Sequence, residues 1–280
     1  MAGKLYLVAT PIGNLEDITL RAIRILQEVD LVAAEDTRNS GLLLKHLNIK
    51  KPMISYFEHN KKLREDRLLH ELASGKDIAL ICDAGTPGLS DPGADIVVAA
   101  LAKNIEVIAI PGASALLTAL TVSGLNQGSF CFEGFLPREK GARRKALQGL
   151  AQEQRVMVFY EAPHRLLAVL EDMAAVWGNK RQIAVCRELT KMFEEIQRGS
   201  LGSMLAYFSE HQPRGEFTLI VAGQQPGETP IDWAIIEEEL QSLLAEGVAR
   251  KEASKHLADK YQVKSKDIYS LGLSKKSTAQ

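Results

Sequence analysis

Residues 5–22, LYLVATPIGNLEDITLRA, carry the first signal for the fold of this chain. The apolar run Leu5–Ala9 predicts a buried strand, residues 10–14 form a turn with proline and glycine, and a helical pattern follows. A strand, a tight loop and a helix in this order are typical of a nucleotide-binding αβ fold. A dinucleotide-binding loop needs three glycines in the pattern G-x-G-x-x-G. This loop has only Gly13, so we exclude dinucleotide binding by this loop. The chain also lacks a G-K-[ST] motif, which excludes the phosphate loop of NTPases.

Strand and helix patterns alternate outward from this stretch to about residue 122. Short apolar runs predict four more strands, at Leu31–Ala34, Met53–Phe57, Ile78–Cys82 and Val107–Ile110. Several of these runs are apolar on both faces, as a parallel sheet covered by helices on both sides requires. The sequence therefore predicts an N-terminal αβα domain over residues 1–122.

Two breaks with glycine, serine or proline divide the rest of the chain. Residues 123–129 open a second αβα domain, predicted over 123–225, and residues 223–230 lead into a helical domain, predicted over 226–280. The second domain has predicted strands at Val156–Tyr160, Ile183–Cys186, Phe193–Gln197 and Phe217–Val221. The last three lie close together in sequence, so we expect a mixed sheet. In the helical domain, Arg250–Tyr261 and a short third helix that Ser265 can cap resemble a helix-turn-helix.

The composition is ordinary for a globular protein. A chain of 280 residues is long enough to bury a core. Of these residues 46% are apolar and 25% are charged, and the net charge is −1. Three separated cysteines without a CxxC pair predict reduced thiols and a cytoplasmic location. No cleavable leader is visible, and no apolar run approaches the ~20 residues of a membrane helix. We expect neither a membrane nor a metal as a partner.

Polar loops with glycine or proline follow four predicted strands, at residues 11–14, 35–38, 83–88 and 111–115. Ligands of open parallel sheets bind beyond the carboxyl ends of the strands, so these loops are expected to converge. Turn chemistry alone also explains proline and glycine in such loops. Asp83, Gly85 and Thr86 nevertheless suit an ammonium group or ribose hydroxyls, and Ser114 opens a helix whose free N–H groups suit a carboxylate. A ligand with an adenosine and an amino acid part would use both features.

Eight motifs occur in order along the chain. They are ATPIGNLEDIT, AAEDTR, DAGTPGLSDPG, IPGASA, EGFLPR, YEAPHRL, CRELTK and RGEFTLIVAG. Together they resemble the tetrapyrrole methylase superfamily, and within it the ribosomal small subunit methyltransferase I branch. The resemblance covers about residues 4–223, and the helical tail is similar too. The corrin and sirohaem branches characteristically carry more glycine in the first loop and a Gly-Gly-Asp-Pro type of loop at 83–87, so the motifs favour the ribosomal branch.

The resemblance implies two αβα domains of the tetrapyrrole methylase type, with S-adenosylmethionine bound in a cleft between them, and the small helical C-terminal domain. It also implies a homodimer that methylates the 2′ oxygen of cytidine 1402 of 16S rRNA, in the decoding centre of the small ribosomal subunit. Cofactor contacts are carried over by motif, and from Tyr160 onward they are assigned to the backbone of the second domain. They are Pro11, Gly13, Asp83, Gly85, Thr86, Ser114, Ala115, Tyr160, Glu161, Met192 and Phe217.

Methyl transfer is an in-line displacement that needs the ribose hydroxyl aligned and at least partly deprotonated. Several groups in the motif loops could act as the base, and the sequence does not select one of them. The wider set is Asp36, Glu133, Glu188 and Lys191, and the foremost candidates are Glu161, His164 and Glu35. His164 could titrate near neutrality, or simply solvate the start of a helix that Pro163 opens.

Two basic regions are candidates for RNA contact. Residues 138–145 hold five basic groups, and residues 247–280 carry a net charge of +5. The candidate contacts are Arg138, Lys140, Arg143, Arg144, Lys145, Arg165, Lys264 and Lys266, with Lys275 and Lys276 further along the tail. A solvated face, a salt bridge from Arg165 to Glu161, or a tail that packs structurally would explain the same residues.

Two other functions fit parts of the pattern. A small-molecule tetrapyrrole C-methyltransferase would use the same cofactor loops, but it needs no basic tail. An RNA-binding assembly factor with a degenerate cleft would use the tail, but it needs no intact loop at 83–87. The sequence therefore favours an rRNA ribose methyltransferase.

Overall fold

A computed structural model describes residues 2–57, 61–91, 93–125, 128–224, 233–261 and 263–271, with the backbone alone at 61–63. The chain forms two compact units. The first comprises Met1–Thr118 together with Glu188–Glu194, and the second comprises Ala119–Arg187 together with Glu195–Gln280.

The first unit is built on a parallel sheet of five strands in the order β3-β2-β4-β1-β5. The strands are β1 (Leu5–Val8), β2 (Leu31–Ala34), β3 (Met53–Ser55), β4 (Ile78–Ile81) and β5 (Val107–Ile110). Its helices are α1 (Leu20–Glu28), α2 (Thr37–His46), α3 (Lys61–Ala73), α4 (Ala94–Ala102) and α5 (Ala115–Val122), the last of which runs on into the second unit. The predicted parallel sheet is confirmed.

Alternate residues of the first sheet enter two separate cores. Ile78 and Leu80 belong to one apolar cluster, whereas Ala79 and Ile81 belong to another. Successive side chains of a strand point to opposite faces, so both faces of this sheet are covered. This is why the strands read as continuous apolar runs in the sequence.

Local capping fixes where the helices of the first unit begin. The Thr19 hydroxyl accepts a hydrogen bond from the Ala22 N–H at the start of α1, and the Asp36 carboxylate accepts one from the Arg38 N–H at the start of α2. Asn14 caps a single 3₁₀ turn, Leu15–Asp17, in the same way. Threonine, aspartate and asparagine are favoured at such positions because they satisfy free N–H groups. These caps set the geometry of the loops that leave β1 and β2.

The second unit contains a mixed sheet in the order β6-β7-β10-β8-β9. The strands are β6 (Phe130–Phe135), β7 (Val156–Glu161), β8 (Gln182–Arg187), β9 (Glu195–Ser200) and β10 (Phe217–Val221). Only β6 and β7 pair in parallel, and the other pairs are antiparallel. The expected mixed sheet is confirmed, but β6 was not predicted as a strand. Its pattern is broken near Gly134, where the register of the β6–β7 pairing shifts.

Three helices accompany this sheet, and three more form the C-terminal region. The first set is α6 (Lys140–Gly149), α7 (Leu166–Trp177) and α8 (Leu201–Glu210), and the second is α9 (Trp233–Ala245), α10 (Arg250–Tyr261) and α11 (Ser265–Ser270). The C-terminal helices have their own small core around Ile236, Leu240, Leu257 and Ile268. They group with the second sheet in one unit, and the division of the chain into three domains stays a prediction.

Two predicted helix starts are wrong. Lys264, not Ser265, occupies the cap position of α11, and its side chain makes no capping bond. Pro163 lies in a turn, and α7 begins three residues later at Leu166.

Within the described residues, no helix is long and apolar enough to cross a membrane. The same part of the chain holds no group of three or more His, Cys, Asp or Glu residues placed to bind a metal ion. The three cysteines form no disulfide among the described residues; Cys82 and Cys186 are buried and Cys131 is half-buried.

Candidate functional site

The loops that follow β1, β4 and β5 are joined at one edge of the first sheet. Thr10 and Gly85 exchange two backbone hydrogen bonds, with N···O distances of 2.8 and 3.1 Å. The Thr86 hydroxyl donates to the carbonyl of Ala113 at 3.3 Å. Because β1 lies between β4 and β5, three loops far apart in sequence form one continuous surface. The structure thus brings together Pro11, Asp83, Gly85, Thr86, Ser114 and Ala115.

Glycine is required at two points of this surface for different reasons. Gly85 has a φ of +85°, which side-chain-bearing residues rarely adopt. At Gly112, a Cβ atom would lie only 2.9 Å from the Cβ of Ala9. These glycines let the three loops approach each other closely, a role that needs no bound phosphate.

A group of carboxylates lines the same edge. The Asp83 carboxylate is exposed and accepts hydrogen bonds from the Asp36 N–H at 3.2 Å and the Asn39 side-chain amide at 2.8 Å. Glu35 is half-buried and accepts a 3.4 Å bond from the Asp83 N–H. Burial raises the pKa of Glu35, and the charges of Asp83 and Asp36 add to that effect. Burial, followed by the charge of Glu35, raises the pKa of Asp91 to about 6.

The segment Glu188–Glu194 joins the first unit, although its neighbours in sequence belong to the second. The Thr190 hydroxyl accepts a hydrogen bond from the Asn14 N–H at 3.2 Å. A Cβ at Gly13 would lie 2.3 Å from the Lys191 side chain and 3.1 Å from the Leu189 carbonyl oxygen. This contact within the protein explains why position 13 is a glycine. The prediction that Met192 belongs to the second domain is wrong, because its segment lies in the first unit. Met192 itself is 91% exposed.

The second unit holds the remaining predicted cofactor residues at one end of its sheet. Phe217, the first residue of β10, is paired in register with Glu161, the last residue of β7. Phe217 is 2% exposed, with its ring against that of Phe208, and its strand is paired on both sides. Tyr160 is half-buried, with its ring against those of Phe132 and Phe135.

Glu161 and Arg165 form an internal pair rather than a surface one. Glu161 is 3% exposed, and one of its oxygens lies 3.2 Å from the Arg165 guanidinium and accepts a bond from the Ala162 N–H. Arg165 also donates to the carbonyls of Leu136 and Pro137 at 2.7 and 3.3 Å. Burial raises the pKa of Glu161, against the opposing effects of the Ala162 N–H and Arg165. The salt-bridge alternative for Arg165 is the one observed, while His164 beside it is exposed.

The basic run 138–145 is divided between surface and core. Arg143 is 6% exposed, and its guanidinium binds the buried carboxylate of Asp172 at 2.6 Å, so its prediction as an RNA contact is wrong. Arg144 binds the other oxygen of Asp172 at 2.6 Å and is partly exposed. The remaining predicted basic residues of the run, Arg138, Lys140 and Lys145, are exposed.

The basic residues of the tail lie on the same unit as this run. Lys264 is exposed and lies 3.6 Å from the exposed carboxylate of Glu171, and Lys266 is exposed. Asp267 lies 4.0 Å from Arg144. Lys275 and Lys276 are outside the described residues.

Sequence reasoning missed the Arg143–Asp172 pair. One available signal was the spacing of Arg143 and Leu147, which share a face of α6 and are both buried. No pattern in the sequence indicated that Asp172 would contact this face of α6.

A family model and two relatives match this chain over most of its length. The model described as Tetrapyrrole (Corrin/Porphyrin) Methylases matches residues 4–205. A Synechocystis sp. protein named Ribosomal RNA small subunit methyltransferase I is 51% identical over 272 residues, covering 97% of this chain and 98% of that protein. A protein of the same name from Halalkalibacterium halodurans is 47% identical over 273 residues, covering 96% and 94%.

Solved structures of low identity share the fold. Uroporphyrin-III C-methyl transferase from Thermus thermophilus, complexed with S-adenyl homocysteine, gives a TM-score of 0.59 at 20% identity, covering 79% of this chain and 97% of that one. A diphthine synthase gives 0.61 at 15% identity, covering 79% and 90%.

The sheets and the family match define the class, and the chain belongs to the tetrapyrrole methylase family. The relatives at 51% and 47% identity place it in the ribosomal RNA small subunit methyltransferase I branch of that family. The resemblance read from the eight motifs is confirmed.

Proposed function

We propose that this chain is an S-adenosylmethionine-dependent methyltransferase of ribosomal RNA, which methylates the 2′ oxygen of cytidine 1402 in 16S rRNA. The observation that carries the proposal is the surface joined by Thr10–Gly85 and Thr86–Ala113, whose β4 loop also carries the exposed Asp83 carboxylate. The name shared by the relatives favours rRNA as the substrate over a tetrapyrrole. The enzyme acts in the cytoplasm on the small ribosomal subunit, as a homodimer.

The residues of this edge fit S-adenosylmethionine. The cofactor has no phosphate, so it needs no glycine-rich cradle, and the glycines present serve loop packing instead. Each oxygen of Asp83 accepts one hydrogen bond and keeps a free lone pair for a hydroxyl or ammonium group of the ligand. The N-terminus of α5 begins at Ala115, where a helix dipole suits the carboxylate of an amino acid part.

When bound, the cofactor supplies a sulfonium methyl group, whose C–S bond breaks as the ribose oxygen forms its C–O bond. The hydroxyl proton must leave to a nearby acceptor. Among the three foremost candidates, Glu161 is buried and paired with Arg165, which keeps it from substrate. Glu35 is half-buried with a raised pKa, which makes its carboxylate a stronger base than an exposed one. We therefore propose Glu35 as the proton acceptor.

Contacts to RNA are proposed at the exposed basic residues near α6 and in the tail. These are Arg138, Lys140, Lys145, Lys264 and Lys266, with the partly exposed Arg144. Their charges lie on one unit, and each phosphate that they neutralise adds sequence-independent affinity.

The test of this function combines rRNA mapping with site variants. Mass mapping of 16S rRNA from a strain lacking the gene should show loss of the ribose methyl at cytidine 1402, and full retention would overturn the substrate assignment. In vitro, Asp83→Ala should lose cofactor binding by calorimetry and methylation together, whereas the exposed helix residue change Asp66→Ala should alter neither. Glu35→Gln should keep cofactor binding and lose the rate of methylation. An Asp83→Ala protein as active as wild type would refute the cofactor site.

A further inference from the structure

A basic recess lies on the first unit, beside the edge strand β3. It encloses about 650 Å³ and is lined by the second half of α2, the turn that follows, and the start of β3. Its polar lining includes Lys45, Lys50 and Lys51. Residues 48–52 precede β3, so the recess lies toward the amino ends of the parallel strands, whereas the cofactor loops follow their carboxyl ends. The two sites are separate features of the same sheet.

The floor of the recess is apolar and part of the core. Leu44 and Ile49 are 2% and 6% exposed, and Met53 packs on the same cluster. Backbone bonds hold the walls, since the Ile49 N–H donates to the Leu44 carbonyl at 2.8 Å and the Val32 N–H donates to the Pro52 carbonyl at 3.0 Å. Asn48 closes the turn with a φ of 56°, a conformation that asparagine tolerates well. The recess is therefore preformed.

The three lysines of the recess have no acidic partner among the residues that the structure describes. Lys45 and Lys50 are exposed and Lys51 is half-buried. Within the described part of the chain, none of the three ammonium groups has a carboxylate within ion-pair distance. A lysine near the C-terminus of a helix interacts favourably with the helix dipole, and this explains the presence of Lys45 at the end of α2. It does not account for Lys50 and Lys51, which lie beyond the helix.

We propose that this recess binds the phosphodiester backbone of a single-stranded RNA segment, as a second RNA contact away from the cofactor edge. The three lysines supply positive charge for backbone phosphates, and the half-buried Met53 above the buried Leu44 and Ile49 supplies an apolar surface for a base or ribose. Lysines beside an edge strand also discourage pairing with another sheet, but that role requires no cavity. The inference rests on the proposed function, because it takes rRNA as the substrate.

The test is the salt dependence of RNA binding by the full chain. The probe is a fluorescent short single-stranded RNA, titrated with wild type and with the triple variant Lys45→Ala, Lys50→Ala and Lys51→Ala. Each phosphate contact on a single strand contributes about −0.7 to the slope of log K against log salt, so the triple variant should have a slope shallower by about 2. Its affinity should fall roughly tenfold at low salt, while cofactor binding stays unchanged. The three Lys→Arg changes made together should restore both the slope and the affinity.

A matched pair of single variants supplies the control. Lys50→Ala should weaken RNA binding, whereas Lys103→Ala, which removes another exposed lysine at the end of α4 outside the recess, should not. Equal slopes for wild type and the triple variant would overturn the proposal. The proposal would also be overturned if the triple variant changed its oligomeric state and still bound RNA like wild type. The recess would then be an interface between protein chains.

The outcomes also separate this proposal from the proposed function. If wild type methylates the small subunit and the triple variant matches it in RNA affinity, only the recess proposal fails. If RNA binding depends on the recess but the protein methylates no RNA, the proposed activity fails and the recess stands.

Discussion

At the scale of single residues, buried charged pairs contribute more to the stability of the fold than exposed charged pairs do. The carboxylate of Asp172 on α7 is 2% exposed and binds two arginines of α6, the buried Arg143 and the partly exposed Arg144. Exposed pairs such as Arg24–Glu28 contribute little, because water screens both partners. Arg143, which was predicted to contact RNA because of its charge, thus stabilises the interior of the second unit.

Replacing Asp172 with asparagine should destabilise the second unit strongly. The change leaves the Arg143 guanidinium buried without its counter-charge, which costs about 3–5 kcal/mol in similar cases. Urea unfolding followed by circular dichroism would measure the loss. Glu171→Gln is the control, since this neighbouring carboxylate on α7 is exposed and should change stability by less than about 0.5 kcal/mol. Equal stability of Asp172→Asn and wild type would contradict the importance of the pair.

The raised pKa of Asp91 predicts a pH-dependent stability of the first unit. Its folded pKa of about 6 exceeds the ordinary 3.8, so the native state binds this proton more tightly than the unfolded chain does. The resulting stabilisation is complete below pH 3.8 and is lost as the pH rises through about 6. Asp91→Asn should therefore be more stable than wild type at pH 8 and no more stable at pH 4. Parallel stability curves for the two proteins would show that the folded environment does not perturb Asp91.

At the scale of elements, strands that are apolar throughout were predicted well, whereas strands of mixed composition were displaced or missed. The strand predicted at Phe193–Gln197 is β9, which begins two residues later at Glu195. The strands β2, β5 and β10 have the bounds that the sequence predicts, because their short apolar runs end sharply at turn residues. The strand β6 was missed because Glu133 and Gly134 interrupt its apolar pattern, at the point where its register with β7 shifts. The loop convergence followed from strand alternation, but the attachment of residues 188–194 to Gly13 depends on long-range packing that no local pattern encodes.

Removing the C-terminal helices tests their role as an element. Deletion of residues 232–280 takes away Lys264 and Lys266 but none of the residues proposed to contact cofactor. We expect RNA affinity to fall by more than cofactor affinity, as measured by fluorescence anisotropy and calorimetry on the same preparation. Equal losses would indicate that α9–α11 mainly pack against the second sheet. Lys264→Ala with Lys266→Ala in the intact chain should reproduce the RNA effect alone.

At the scale of the whole molecule, each unit carries its own buried thiol. Cys82 lies in the first unit and Cys186 in the second, and both are buried. Burial raises the pKa of the Cys82 thiol, and burial with the nearby charge of Glu153 raises the pKa of Cys131 to about 11. A thiol reacts as its thiolate, so Cys82 and Cys131 should react slowly in the native state, and burial alone should shield Cys186 from a reagent.

Thiol labelling should therefore report the opening of each unit separately. With a thiol reagent at pH 8, Cys131 should react slowly in the folded protein, and Cys82 and Cys186 should react only as their units unfold. Cys82→Ala and Cys186→Ala variants, each labelled in rising urea, would assign the two transitions by mass spectrometry. Rapid labelling of Cys82 without denaturant would contradict its burial.

The membership of Glu188–Glu194 in the first unit has a consequence during synthesis. A ribosome releases the chain from its N-terminus at roughly 5–20 residues per second, and domains tend to fold as they emerge. The Pro11–Asn14 loop cannot receive Thr190 and Lys191 until some seventy residues after Thr118 have been made. The nascent first unit therefore lacks the contacts of Glu188–Glu194 with this loop until β8, a strand of the second unit, has already been synthesised.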